Sequence, residues 1–169
     1  MVSDQSDRRP HAEGVHSTGP VRPSWTHIAL RVRDLERSVA WYEQLSPLRV
    51  LRQFSDDYGV GAWLADPASA SPFVLALSEF APEKDPFGFA PPTVLGPFAH
   101  FGFELTSREA VEDVARHAEA DGSLTYPATQ MSPPIGFICF VEDPDGNTVE
   151  FSYGQGTHAI WDEEWGEDG

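Results

Sequence analysis

Cysteine and long apolar runs are both scarce in this chain. Cys139 is the only cysteine among 169 residues, which excludes an internal disulfide, and its place in the apolar run "GFICFV" predicts a small buried side chain rather than a catalytic thiol. No apolar run reaches the roughly 18 residues of a membrane span, and the N-terminal residues lack the apolar centre of a signal peptide. We therefore expect a soluble, cytoplasmic protein without a membrane partner.

Basic residues are also scarce. Lys and Arg total 11 against 27 Asp and Glu, which gives a formal net charge of −16. A field of this sign repels phosphate backbones, so the sequence excludes nucleic acid as an expected partner.

The composition predicts one central domain with irregular ends. Residues 1–23 are rich in Pro, Gly, Ser and charge and have no apolar period, which predicts a disordered leader. We expect a single domain over 24–154, followed by an acidic tail over 155–169 that contains two tryptophans. Within the domain, the Pro- and Gly-rich stretch 81–96 predicts a linker, which separates two modules, 24–80 and 97–154.

The two modules repeat each other. "THIALRV" at 26–32 and "AHFGFEL" at 99–105 are each followed by a helix signal. A shift of 73 residues aligns His27 with His100, Asp34 with Ser107, and Glu36 with Glu109. In both copies a helix-capping residue is thus followed by an acid in the first helical turn, where it suits the helix dipole.

Three further extended runs follow each helix signal. They lie at 48–54, 59–65 and 72–80 in the first module and at 123–131, 136–142 and 147–154 in the second. The predicted element order is therefore βαβββ, twice, which is an α+β fold.

The alternation of side chains along a strand assigns the polar candidates to one face. In the first strand His27 and Arg31 lie opposite the apolar residues, and in the fifth strand His100 and Glu104 do the same. Glu150 lies opposite the apolar face of the last strand, although it stands between Val and Phe in "VEDPDGNTVEF". If this face is the concave side of a curved sheet, the two histidines and the glutamate converge there.

With this repeat, the sequence resembles the vicinal oxygen chelate superfamily, which includes glyoxalase I, extradiol ring-cleaving dioxygenases, fosfomycin-resistance enzymes and bleomycin-binding proteins. The resemblance covers 25–154 and rests on "WTHIALRVRDLERSVAWYEQL", "FAHFGFEL" and "FVEDPDGNTVEF". It implies two βαβββ modules that form a U-shaped mixed sheet around a metal-binding cleft. It also implies His27, His100 and Glu150 as ligands of one divalent ion, for which Fe²⁺, Zn²⁺, Mn²⁺ and Ni²⁺ remain open.

The resemblance does not select one reaction. Glyoxalase I has a fourth ligand, an acid on the fourth strand, where this chain aligns Ala76; Glu79 is predicted to point to the other face. Extradiol enzymes and fosfomycin-resistance enzymes have a tyrosine where this chain has Phe140. The threonine of fosfomycin-resistance enzymes falls on Ala29, and "MSPPIGFIC" lacks the histidine of extradiol enzymes.

The leading expectation is a metal-dependent lyase or isomerase that acts on a small oxygenated substrate through a metal-chelated oxyanion, with Glu150 as catalytic residue. The alternatives are an Fe(II)-dependent extradiol-type dioxygenase and a non-catalytic ligand-binding protein of the bleomycin-resistance type. Candidate pocket residues are Arg31, Trp63, Glu104 and Phe140, to which Phe87 and Phe89 of the linker would add apolar surface. We expect a homodimer, with modules that pair either within one chain or between two.

Overall fold

The computed structural model describes residues 25–71, 73–85, 94–96 and 98–165, without the side chains of 158, 162 and 164. The predicted leader, the linker residues 86–93 with Phe87 and Phe89, and the last four residues of the tail lie outside the described residues. No helix in the described part of the chain is long and apolar enough to cross a membrane.

The described residues form eight strands and three helices. In chain order they are β1 (His27–Arg31), α1 (Leu35–Leu45), β2 (Arg49–Asp56), β3 (Gly59–Ala65), β4 (Val74–Phe80), β5 (Phe101–Glu104), α2 (Arg108–Asp121), β6 (Leu124–Gln130), β7 (Phe137–Glu142), β8 (Thr148–Tyr153) and α3 (Thr157–Trp165). The α+β class and the repeated βαβββ order are confirmed. Helix α3, within the acidic tail, was not predicted.

Both repeated helices begin at the predicted caps. Asp34 accepts a hydrogen bond from the backbone N–H of Arg37, and Ser107 accepts one from that of Ala110. Each cap satisfies a backbone donor that the first helical turn leaves free. Helix α2 ends at Asp121, and the capping residue Gly122 has a φ of 82°, in the left-handed region that glycine adopts without a steric penalty.

The strands form two four-stranded sheets of identical topology. The first has the order β1-β4-β3-β2 and the second β5-β8-β7-β6; in each, the first two strands in this order are parallel and the other neighbours are antiparallel. Among the described strands, pairing occurs within a module and not between modules.

The apolar faces of the two sheets share one core through α1. The fully buried Tyr42 stacks on Phe101 of β5, with ring centroids 6.2 Å apart, and Trp41 lies 6.3 Å from Phe151 of β8. Buried side chains of both modules belong to the same hydrophobic cluster. The opposite faces of the two sheets therefore point away from this core.

The turn "DPDGN" between β7 and β8 ties the second module to α1. Tyr42 donates its hydroxyl hydrogen to Asp143 Oδ2 at 2.5 Å, and Ser38 donates to Asp145 Oδ2 at 2.9 Å. The backbone N–H and Nε of Arg33 donate to Asp145 Oδ1 at 2.9 and 3.1 Å. Both carboxylates are buried, so these donors replace the water that the charges lose on folding.

Candidate metal centre

Glu150 lies in the middle of the second sheet, on the face away from the shared core. Glu150 belongs to β8, and its partners on the neighbouring strands are Gly102 of β5 and Phe140 of β7. Only 6% of the residue is exposed. Gly102 leaves room for the carboxylate, because a Cβ at that position would lie 3.1 Å from the Glu150 Cβ and 3.6 Å from Oε1. A small residue beside the acid is thus part of the site, and the sequence reasoning gave it no such role.

His100 faces this carboxylate. Its Nε2 lies 3.5 Å from Glu150 Oε2, and its Nδ1 lies 2.7 Å from the carbonyl oxygen of Phe98. A carbonyl only accepts, so Nδ1 carries the hydrogen, and in neutral imidazole Nε2 then presents its lone pair toward Glu150. His100 was predicted on the fifth strand, but β5 begins at Phe101, so the histidine stands one residue before it.

Gln155 holds the other carboxylate oxygen. Its Nε2 donates to Glu150 Oε1 at 2.5 Å from the segment between β8 and α3. Burial raises the pKa of Glu150 above its ordinary value, while the attraction of His100 and the Gln155 hydrogen bond act in the opposite direction. Sequence reasoning missed Gln155, because it lies beyond the last strand, where side-chain alternation gives no information.

His27 does not join the pair within one chain. It lies exposed on β1 of the first sheet, with Nδ1 2.9 Å from Thr26 Oγ1. Among the residues that the structure describes, no three His, Cys, Asp or Glu side chains are grouped so that they could hold a metal ion. The shared core explains this, since it turns the outer faces of the two sheets away from each other.

The predicted pocket residues divide between the two sheets. Phe140 is half-buried with its ring 5.0 Å from that of His100, and Glu104 is exposed at the end of β5. On the first sheet, Trp63 is 43% exposed, and Arg31 forms an ion pair with Asp85 at 2.6 Å. The structure thus brings Phe140 to the His100–Glu150 pair and leaves Trp63 and Arg31 on the other sheet.

The strand register confirms the alignment of the two modules. Ala29 pairs with Ala76 between β1 and β4, as Gly102 pairs with Glu150 between β5 and β8. Glu79 points away from this face, as predicted, and its Oε2 accepts from the backbone N–H of Leu35 at the start of α1. The first sheet therefore has no carboxylate at the place equivalent to Glu150.

Comparison with known families agrees with this architecture. Residues 25–151 match the model of the Glyoxalase/Bleomycin resistance protein/Dioxygenase superfamily. The chain belongs to this superfamily. An uncharacterized protein of Pseudomonas aeruginosa is 38% identical over 133 residues, which cover 79% of this chain and 90% of that protein. A lactoylglutathione lyase of Neisseria meningitidis is 30% identical over 131 residues, which cover 74% of this chain and 86% of the lyase.

Solved structures of the superfamily share the fold. The trypanothione-dependent glyoxalase I of Leishmania major superimposes with a TM-score of 0.61 at 23% identity, covering 87% of this chain and 98% of that chain. A fosfomycin resistance protein from Listeria monocytogenes gives a TM-score of 0.56 at 16% identity. The match covers 79% of this chain and 94% of the Listeria chain. At these identities the likeness establishes the fold alone. Helix α3 lies beyond the residues that the superfamily model matches.

Proposed function

We propose that this chain is a metal-dependent lyase or isomerase that acts on a small oxygenated substrate. The observation that carries the proposal is the approach of His100 Nε2 to Glu150 Oε2 at 3.5 Å on the outer face of the second sheet. An imidazole lone pair and a carboxylate oxygen, each fixed by a second hydrogen bond, are a donor set that divalent transition metals accept.

A second copy of the chain supplies His27 in this proposal. His27 lies on an exposed outer face, together with Trp63 and Phe54, whose rings are 6.0 Å apart and 43% and 40% exposed. Every residue of β2 is exposed as well. Apolar sheet surface of this kind is typical of a contact, and pairing it with the outer face of another chain's second sheet completes two sites in a homodimer.

Each protein group has a definite role in such a site. A bound divalent ion would supply positive charge to neighbouring substrate oxygens. Glu150 Oε2, which Gln155 leaves free, accepts a proton from the substrate carbon, and the Phe98 carbonyl, which accepts from His100 Nδ1–H, keeps Nε2 directed at the centre. Phe140 next to His100 has no hydroxyl to donate, which favours lyase or isomerase chemistry over extradiol ring cleavage.

Metal analysis tests the centre directly. Protein purified without chelator should contain about one divalent ion per chain, and His100→Ala and Glu150→Ala should each lose it. His117→Ala is the matched control, because His117 lies exposed on α2 with Nδ1 bonded to the carbonyl of Asp113. Metal-free wild-type protein from metal-replete cultures would overturn the proposal.

A mixing experiment tests whether two chains share the site. His27→Ala and Glu150→Ala proteins each lack one ligand and should bind no metal alone. After joint refolding, heterodimers contain one intact site and one doubly defective site, so about a quarter of all sites should bind metal. A mixture that stays metal-free, while wild-type chains bind metal, would contradict sharing between chains.

The reaction class needs its own measurement. Metal-loaded protein should exchange the acidic hydrogen of a small α-hydroxycarbonyl compound with deuterium from solvent, and Glu150→Gln should abolish the exchange. Oxygen consumption with a catechol would instead indicate the dioxygenase. Recovery of bound ligand unchanged and without exchange would support the binding protein.

A further inference from the structure

A pocket lies beside the candidate centre, and α3 forms one of its walls. It has a volume of about 450 Å³. One wall is the loop between β6 and β7, with Pro134 and Ile135, and the other is α3, with Trp161 and Trp165. The match to the superfamily model ends at residue 151, so the helical wall lies outside the matched residues.

Helix α3 presents large apolar side chains that nothing in the described chain covers. Trp161 and Trp165 stand four residues apart and therefore share one side of the helix, with ring centroids 4.5 Å apart. They are 58% and 67% exposed, and Ile160 and Ile135 are 45% and 42% exposed. Four large apolar residues around one pocket are unusual for a solvated surface and indicate a binding site.

The two walls are fitted to each other. Gly156 donates its backbone N–H to the carbonyl of Pro134 at 2.9 Å and accepts at its own carbonyl from the backbone N–H of Ile160 at 2.8 Å. A Cβ at Gly156 would lie 3.2 Å from Pro134 Cβ and 3.4 Å from Ile160 Cδ1. The absence of a side chain at Gly156 therefore lets α3 begin directly against the loop.

Gln155 connects the pocket with the candidate centre. Its side chain lines the pocket, and its Nε2 donates to Glu150 Oε1 at 2.5 Å. The side chain of Gln155 thus separates a ligand in the pocket from the Glu150 carboxylate. Among the described residues no Lys or Arg lines the pocket, and the chain carries a net charge of −16, so an anionic ligand finds no countercharge there.

We propose that this pocket binds the apolar aromatic or branched aliphatic part of the substrate, whose oxygens reach Glu150 past Gln155. This inference rests on the proposed function, because it takes Glu150 as the place of the reacting oxygens. The two indoles lie edge to face, with an angle of 88° between their planes, and their apolar rings suit contact with a flat ring.

Binding of N-phenyl-1-naphthylamine, an uncharged fluorescent probe, tests the pocket in the metal-free full chain. Wild-type protein should enhance the probe's fluorescence with saturation, and Trp161→Ala and Trp165→Ala should each weaken binding by about tenfold or more. Trp25→Ala is the matched control: Trp25 is 78% exposed and stacks on Phe73 outside the pocket, so its loss should change little. Circular dichroism of all variants verifies that the fold is retained.

The link to the centre is tested with Co²⁺. The visible absorption of Co²⁺-loaded wild-type protein should change when the probe is added, and that of Trp165→Ala should not. Probe binding that is absent, or equal in all three tryptophan variants, would overturn the pocket, and a Co²⁺ spectrum indifferent to bound probe would overturn its connection with Glu150. Failure of Co²⁺ to bind would overturn the metal centre instead, and the titration of metal-free protein would still decide on the pocket.

Discussion

Ala76 occupies in the first sheet the position that Glu150 occupies in the second. Both residues pair with the middle of the parallel neighbouring strand, Ala76 with Ala29 and Glu150 with Gly102, at equivalent places of the repeat. The two modules therefore share one backbone arrangement, but only the second has a carboxylate at this position. In the proposed centre the second sheet therefore supplies the one carboxylate, and the first sheet supplies His27.

The substitution Ala76→Glu should increase the affinity of the protein for a divalent metal. The new carboxylate would stand on the outer face that carries His27, so it enters any centre to which His27 contributes. We expect metal binding about tenfold tighter, about 1.4 kcal/mol, in a competition titration against a coloured chelator. Ala76→Gln is the control for size. Equal affinities of the two variants would show that the first sheet does not reach the metal.

Gln155→Leu should weaken metal binding while the fold is retained. Without the hydrogen bond to Oε1, the carboxylate of Glu150 is free to rotate away from His100, and loss of such a supporting partner typically costs about 10- to 100-fold in affinity. Isothermal titration with Zn²⁺ measures the change. Gln44→Leu, at an exposed position of α1, is the control, and a loss as large in this variant would contradict a specific role of Gln155.

Tyr42→Phe should lower the free energy of unfolding by about 1.5–3 kcal/mol, since it removes a hydrogen bond to the buried carboxylate of Asp143. Burial and the charge of Asp143 raise the pKa of the Tyr42 hydroxyl, so this donor keeps its hydrogen beyond the pH at which an exposed tyrosine ionises. Urea unfolding measures the effect. Tyr58→Phe, 53% exposed, should be close to neutral, and equal stability of both variants would contradict the prediction.

Cys139 should be unreactive and should make stability depend on pH in the alkaline range. Burial first, and then the charge of Glu150, raise the pKa of its thiol from 9.0 to about 11. Below pH 9 both the folded and the unfolded thiol are protonated, so the stabilisation is fully present. Between pH 9 and 11 only the unfolded thiol ionises, and stability falls by up to about 1.4 kcal/mol per pH unit.

Two measurements check the behaviour of Cys139. A disulfide reagent such as Ellman's should find no reactive thiol in native protein at pH 8 and one thiol per chain after denaturation. Cys139→Ala should lose stability less steeply than wild type between pH 9 and 11. Rapid labelling of the native protein would contradict the predicted burial.

Local chemistry was sufficient to predict the repeat and the faces of its strands. The helix caps at Asp34 and Ser107 and the two faces of β4, with Ala76 on one and Glu79 on the other, follow from hydrogen-bonding side chains and from the two-residue period of a strand. These features depend on neighbours within about four residues in the chain or on alternation along one strand. For this reason one sequence was enough to place Glu150 on the polar face.

Only the tertiary structure decided how these faces are used. Alternation assigns His27 and Glu150 to the face opposite the apolar one in their own sheets, but it does not say how two sheets are oriented. Packing of Trp41 and Tyr42 against β5 and β8 turns the outer faces apart, and Gln155 reaches Glu150 from beyond the last strand. These contacts join residues that are distant in the chain or outside regular strands, so their geometry exists only after the core has formed.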